Sequence, residues 1–270
     1  MANRTLTFLG SLGRRFSQKV KGGVLAVQEY VVLSWRGVTV ILTPPRYTAE
    51  IVAQMDSIGV GSLSIVILTG TFTGMVLALQ SAASLDAFGA RPYVGRLVSI
   101  SMVRELGPVL TALMVTGRVG SGMAAELGSM VVTQQIDALR VLGSDPVRKL
   151  VAPRILAGMV MVPILTILSD AVGMFGGSLI SVSTLGLSWD FYWRSVGQTL
   201  VINDFAMGLT KPVAFGFILT SVGCFMGLRT KGGTQGVGES TTRSVVVASV
   251  LILSSDFFMT KLLLAFFPLD

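Results

Sequence analysis

The chain has 270 residues, of which 51% are hydrophobic and only 13% are charged, and its formal net charge is +7. A soluble domain carries about 25% charged residues, so this composition excludes an ordinary soluble protein and indicates an integral membrane protein. Histidine is absent from the sequence, which excludes His-based catalysis and the common His metal sites, and we expect no metal centre in this chain.

The first 50 residues form a basic N-terminal region. Within it, residues 24–42 are mildly amphipathic, because Glu29 and Arg36 are seven residues apart and therefore share a helix face. Trp35 is a residue type that favours the membrane interface. We predict a helix that lies in the cytoplasmic interface and is ended by Pro44 and Pro45, and an additional membrane span is the alternative that the sequence leaves open.

Residues 51–270 form the predicted transmembrane domain, which contains five further segments long enough to span a bilayer. These segments lie within 58–85, at 97–117, within 155–183, at about 200–228 and at 244–267. Their apolar runs are continuous, whereas a transmembrane barrel would show alternating segments of about 10 residues. The predicted fold class is therefore an all-α polytopic membrane protein with an N-terminal interfacial helix and five transmembrane helices.

The distribution of basic residues predicts the orientation. Fifteen of the 21 Lys and Arg residues fall in segments on the N-terminal side of the membrane, and only Arg91, Arg96 and Arg194 fall in the opposite loops. Cytoplasmic loops carry the excess of basic residues, so we expect the N-terminus in the cytoplasm and the C-terminus outside. Because the charges follow this membrane pattern, we do not expect a nucleic-acid partner.

Two small-residue motifs occur in the spans. Gly70-xxx-Gly74 lies in the first span and Gly173-xxx-Gly177 in the third. Such motifs let helix backbones approach closely, and here they predict tight packing within the chain or between subunits.

Ionisable side chains occur in every span but the first. They are Arg104, Glu105, Asp170, Asp204, Lys211, Asp256 and Lys261. Each costs about 2.5–3.5 kcal/mol at the bilayer centre, so these groups should face protein or water rather than lipid. We expect Asp170, Asp204 and Asp256 to be structural groups that pair with other charges and fix helix positions.

Arg104, Glu105 and Lys211 are instead expected to line a polar cavity. Adjacent residues of a helix point about 100° apart, so Arg104 and Glu105 cannot share one direction. Pro108 removes the amide that would donate to the carbonyl of residue 104, and it tends to kink the helix there. The sequence places this combination of charge and kink about 10 Å from the outer end of the span, so the cavity should open outward.

A polar and Gly-rich segment follows the second span, from residue 117 to 154. It is too polar to span the membrane and too apolar to be a simple linker. It can be a surface helix that rests on the bilayer or a docking helix for a cytoplasmic partner. No GxxxxGK[ST] motif occurs in the chain, so an ATP-driven mechanism would need a second protein to hydrolyse ATP.

Four sequence stretches resemble the MlaE/YrbE permease family, the membrane subunits of bacterial ABC transporters associated with MCE proteins. The stretches are "VRELGPVLTALMVTGRVGSGMAAELGSM", "QQIDALRVLGSDPVRKLVAPR", "DAVGMFGG" and "DFFMTKLLL". The resemblance runs in order from about residue 51 to residue 267. It implies an inner-membrane permease without enzymatic activity that moves phospholipid or another hydrophobic molecule between the inner membrane and a periplasmic carrier.

The resemblance also implies partners. They are a second copy of the chain in a homodimer, cytoplasmic ABC ATPase subunits that bind ATP and Mg, a periplasmic hexamer of MCE lipid-binding subunits and, in some members, a STAS-domain subunit. No cofactor is expected in this chain. A coupling helix at about 122–143 would seat in the ATPase groove, with Glu126, Gln134, Gln135, Asp137, Leu139 and Arg140 as the contact residues.

The lipid pocket of the family maps onto Arg104, Glu105 and Lys211, with Leu106, Met75 and Leu79 as apolar lining. One open alternative pairs Arg104 with Glu105 of the other subunit and leaves Lys211 for the lipid head group. A different class of function, also left open, is an ion-coupled secondary transporter that uses the intramembrane carboxylates.

Overall fold

The chain folds into long helices joined by short turns. A computed structural model describes residues 2–41, 43–44 and 47–266, and the side chains from Lys21 onward. The described residues contain no strand and form eight helices, so the predicted all-α class is confirmed. In chain order the helices are α1 (Ala2–Ile41), α2 (Thr48–Asp86), α3 (Arg91–Val132), α4 (Gln135–Val141), α5 (Val147–Ser183), α6 (Trp189–Thr199), α7 (Ile202–Leu228) and α8 (Gly233–Phe266).

Six of these helices are long and apolar enough to cross a membrane. Five of them, α2, α3, α5, α7 and α8, correspond to the five predicted spans. The sixth is the Lys21–Ile41 part of α1, so the interfacial position of this helix stays a prediction beside the alternative of an additional span. Residue 42, Pro45 and residue 267, which the sequence analysis placed at helix ends, lie outside the described residues.

The helix α3 is continuous but irregular. It begins with a 3-10 turn at Arg91–Tyr93, and its three α-helical parts at Val94–Ser101, Gly107–Val115 and Ser121–Val132 are separated by π turns at Met102–Leu106 and Thr116–Gly120. The first π turn accounts for the break predicted at Pro108. Because Pro108 has no N–H to donate, the N–H of Gly107 reaches back to the carbonyl of Met102, five residues earlier.

The helix predicted at about 122–143 is in fact two separate pieces. Residues up to Val132 continue α3, and α4 begins only at Gln135. Between them Gln134 has a φ of 60°, a left-handed conformation that interrupts the α-helical path. The segment is therefore a membrane helix that ends in a sharp turn, followed by the short helix α4.

The glycine motifs pack α2 against α5 within one chain. A Cβ atom on Gly74 would overlap the carbonyl of Gly173, and a Cβ atom on Gly173 would lie 3.1 Å from the carbonyl oxygen of Gly70. The two motifs thus bring two backbones into direct contact, as small residues do in membrane helices. Beside this seam lies the main core, whose buried members include Val66, Leu165 and Phe215.

A Gly74→Val variant should therefore destabilise the fold. The added side chain has no room, and overpacking of this kind costs about 1–3 kcal/mol even where side chains can adjust. Here backbone must move, so we expect a loss at or above that range, measured as a lower unfolding temperature in detergent. Gly122→Val is the matched control because its added side chain meets nothing within 4 Å. Equal unfolding temperatures for the two variants would contradict the packing.

Candidate functional site

Two ion pairs connect α3 to α7. The Arg104 Nε donates to Asp204 Oδ1 at 2.6 Å, and the Lys211 Nζ donates to Glu105 Oε2 at 2.7 Å. Asp204 and Lys211 are seven residues apart on one face of α7, and the adjacent side chains of α3 diverge to reach them. The structure thus joins the four charges that the sequence analysis placed in the second and fourth spans.

Lys211 is the centre of this group and is completely buried. Its ammonium lies 3.1 Å from Asp256 Oδ1 and donates to the backbone carbonyl of Arg104 at 2.9 Å. That carbonyl is the one that Pro108 leaves without its helical donor, so the lysine satisfies it. Glu105 also accepts a hydrogen bond from Thr260 at 3.2 Å, and the network therefore links α3, α7 and α8.

Asp204 is held from two sides. Its side chain is fully buried, and while Oδ1 accepts from Arg104, Oδ2 accepts from the N–H of Val201 at 3.0 Å. The second bond caps the first turn of α7, where backbone N–H groups lack helical partners. The carboxylate of Asp204 is consequently a fixed anchor for the Arg104 guanidinium.

The contacts within the chain bear on the alternatives for Lys211. Arg104 and Glu105 both have partners within the chain, and Lys211 has no exposed surface. Glu105 and Arg104 keep 41% and 21% of their side chains exposed, respectively. The accessible members of the site are therefore Arg104 and Glu105, and Lys211 positions them.

Asp170 behaves differently from the other structural carboxylates. Asp204 and Asp256 lie in ion pairs, whereas Asp170 makes no ion pair with any described residue. The pairing expected for Asp170 therefore stays a prediction. Its side chain packs against Gly107, where a Cβ atom would overlap the carboxylate, so it supports the end of the π turn.

Arg104 also lines a cavity of about 830 Å³ at the end of the bundle that carries α6. The cavity contains two more arginines, Arg96 from α3 and Arg194 from α6. In the sequence both appear as loop charges, and nothing there predicted that they would line one cavity with Arg104. The one available signal is that both flank predicted spans on the same side of the membrane. The three predicted apolar lining residues Met75, Leu79 and Leu106 are not among the described residues that form the cavity wall.

The predicted coupling residues occupy two places. Gln135, Asp137, Leu139 and Arg140 lie on α4, with Gln134 at the turn before it, whereas Glu126 lies on α3 and pairs with the buried Arg154 at 2.7 Å. Ile136 is buried and holds α4 against the bundle. Val141 and Leu142 are 87% and 78% exposed. These two adjacent residues form an exposed apolar surface, and neither is among the predicted coupling residues.

The N-terminal helix α1 contacts the turn between α4 and α5. Arg36 of α1 pairs with Asp145 at 3.3 Å in the turn between α4 and α5. Arg148 donates to the carbonyl of Pro44 at 2.8 Å. These contacts connect α1 and the segment after it to the α4–α5 turn and to the start of α5.

Comparison with known proteins gives one family and a set of relatives. The family model described as permease MlaE matches residues 51–262. A probable ABC transporter permease of Rickettsia typhi is 40% identical over 92% of this chain and 93% of its own length. The intermembrane phospholipid transport system permease protein MlaE of Haemophilus influenzae is 41% identical over 79% of this chain and 82% of its own length. The chloroplastic protein TRIGALACTOSYLDIACYLGLYCEROL 1 of Arabidopsis thaliana is 36% identical over 84% of this chain and 68% of its own length.

Proposed function

The chain belongs to the MlaE permease family, and on that premise we propose that it is the membrane-spanning subunit of an ABC transporter that moves phospholipid. The match over residues 51–262, which includes both the ion-pair network and α4, is the observation that carries this function. ATP is hydrolysed by a separate ATPase subunit, and this chain performs no catalysis of its own.

The site supports the handling of an amphiphile. Arg104 and Glu105 sit at a partly open π turn, held from behind by Asp204 and Lys211. Breaking a buried ion pair is strongly unfavourable, because it leaves an uncompensated charge. We propose that a phospholipid head group contacts the accessible faces of Arg104 and Glu105, with Met75, Leu79 and Leu106 near its acyl chains.

The connection between α4 and the site runs through α3. Arg104 and Val132 belong to the same continuous helix and are separated by about 40 Å along its axis at 1.5 Å per residue. A push on α4 by a closing ATPase would reach the ion pairs as a shift of α3 against α7. Such a shift changes the distance between Glu105 and Lys211, and in this way couples ATP hydrolysis to the lipid site.

The assembly follows from the same premise. We propose a homodimer in the bacterial inner membrane, with the N-terminus and α4 in the cytoplasm and with the C-terminus and α6 in the periplasm. A periplasmic MCE hexamer would exchange lipid with the dimer, and a STAS-domain subunit would accompany the ATPases. The basic residues concentrated on the α4 side support this orientation.

The ion-coupled alternative has less support. Glu105, Asp204 and Asp256 are already paired with basic side chains, and Asp170, which makes no ion pair with a described residue, packs closely against Gly107. Transport by the purified chain without any ATPase would revive this alternative.

Docking on α4 can be tested directly. A Leu142→Asp substitution places a charge on the exposed apolar end of α4 and should reduce co-purification with the ATPase by about tenfold or more, since burying an unpaired charge is strongly unfavourable. Phe88→Asp is the matched control, because Phe88 is 84% exposed in the turn between α2 and α3 at the other end of the bundle. Unchanged co-purification of Leu142→Asp, with the same elution profile as wild type, would refute docking through this surface.

A further inference from the structure

The cavity beside α6 carries an unbalanced positive charge. Of its three arginines, Arg104 is neutralised by Asp204, whereas Arg96 and Arg194 form no salt bridge with any described residue. No carboxylate is among the residues that line it. Nearby Arg91, in contrast, pairs with Asp86. Two uncompensated guanidinium groups in one concave surface indicate an anion site.

The other residues that line the cavity favour one class of anion, a phosphate ester with an apolar substituent. Hydroxyl and amide groups come from Tyr93, Ser195, Gln198 and Thr199. Apolar wall is supplied by Pro92, Ile100, Phe191 and Val201. A volume of about 830 Å³ lies within the range of about 300–1,000 Å³ typical of small-molecule sites, which is larger than a free ion requires.

We propose that this cavity is a second binding site, separate from the Glu105–Lys211 network, for the phosphate of a lipid head group. Arg96 and Arg194 hold the phosphate, since the guanidinium fork matches phosphate oxygens in a bidentate manner. Arg104 forms the inner wall and belongs to both sites. The phosphate chemistry is inferred from the cavity alone, while the assignment to a transported lipid rests on the proposed function.

The position of Arg104 gives the second site a consequence for transport. One edge of its guanidinium bonds to Asp204, and its side chain also faces the cavity. A phosphate in the cavity competes with Asp204 for this guanidinium. Lipid in the second site therefore weakens the contact that fixes α3 to α7 at the first site, and Arg96 and Arg194 set how long the lipid stays there.

The test measures lipid binding to the complete permease with its ATPase, in micelles of dodecyl maltoside, a detergent that carries no phosphate. The probes are dioleoyl phosphatidic acid and dioleoylglycerol, which differ only in the phosphate. We expect Arg96→Gln and Arg194→Gln each to weaken phosphatidic acid binding about tenfold, and the double variant to weaken it further. Dioleoylglycerol should show no dependence on these residues. Arg91→Gln is the matched control and should bind as wild type, because Arg91 is outside the cavity wall.

Three results would overturn the proposal. The first is an unchanged affinity for phosphatidic acid in the double variant. The second is displacement of the lipid by inorganic phosphate at equal concentration, which would make the cavity a site for the free ion. The third is equal loss of binding in Arg91→Gln, which would mean a general surface-charge effect.

ATP-driven lipid transfer measured on the same samples separates this proposal from the proposed function. If the wild-type protein binds phosphatidic acid through Arg96 and Arg194 but transfers no lipid, the second binding site stands and the proposed function is refuted. If lipid transfer is normal but binding does not depend on these arginines, the proposed function stands and the second binding site is refuted.

Discussion

Replacing Lys211 by methionine is expected to destabilise the protein by about 3–5 kcal/mol, the range for removing one partner of a buried charge pair. The methionine fills a similar volume but leaves Glu105 and Asp256 without their cation and the Arg104 carbonyl without its donor. We expect a markedly lower unfolding temperature in detergent, measured by the loss of monodisperse protein on heating.

A control and a rescue make the result specific. Lys261 is an exposed lysine in the same membrane region, so Lys261→Met should leave stability nearly unchanged. Adding Glu105→Gln and Asp256→Asn to Lys211→Met removes the uncompensated charges and should restore much of the lost stability, while transport stays absent. If Lys211→Met unfolds at the wild-type temperature, the network is not the structural centre that its burial indicates.

The second large effect is expected for Glu105→Lys, which should reduce lipid transport to less than about a tenth of the wild-type rate, equivalent to more than about 1.4 kcal/mol. The substitution sets a second ammonium against Lys211 and removes the acceptor for Thr260. Because 41% of the Glu105 side chain is exposed, the new lysine can turn toward the opening. We therefore expect the protein to fold and to retain its ATPase partner.

Two further variants define this effect. Glu105→Gln keeps an acceptor for Lys211 and should give an intermediate rate. Glu239→Lys reverses an exposed charge that pairs with Arg243 four residues away, an interaction worth about 0.3–0.5 kcal/mol, and should transport normally. Lipid transfer at the wild-type rate by Glu105→Lys would leave the pair with a structural role alone.

The sequence predicted the helical class, the spans and the family because these depend on long local patterns. Runs of apolar residues identify a membrane helix, and the four motif stretches are long enough to be specific. The sequence also placed Asp204 and Lys211 on one helix face, because a separation of seven residues is close to two turns. The charged residues that meet at the α3–α7 junction could therefore be listed from the sequence, but not their roles.

The partners of those charges could not be predicted, because they depend on how helices pack. Nothing local links Glu105 to Asp256 through Lys211, or the carbonyl freed by Pro108 to the same lysine. For the same reason the sequence could not show that Asp170 has no charged partner among the described residues. The arginine cavity was missed since Arg96 and Arg194 are almost 100 residues apart and converge only when α6 folds against α3.

The most direct test of the account is the transfer of a fluorescent phospholipid out of proteoliposomes that contain the chain and its ATPase, with an MCE-domain acceptor outside. We predict transfer that requires ATP, that stops with Glu105→Lys, and that continues with Glu239→Lys, while all three proteins retain the ATPase. Transfer that proceeds equally without ATP, or that Glu105→Lys leaves unchanged, would contradict an ATP-driven permease whose lipid site lies at the junction of α3 and α7.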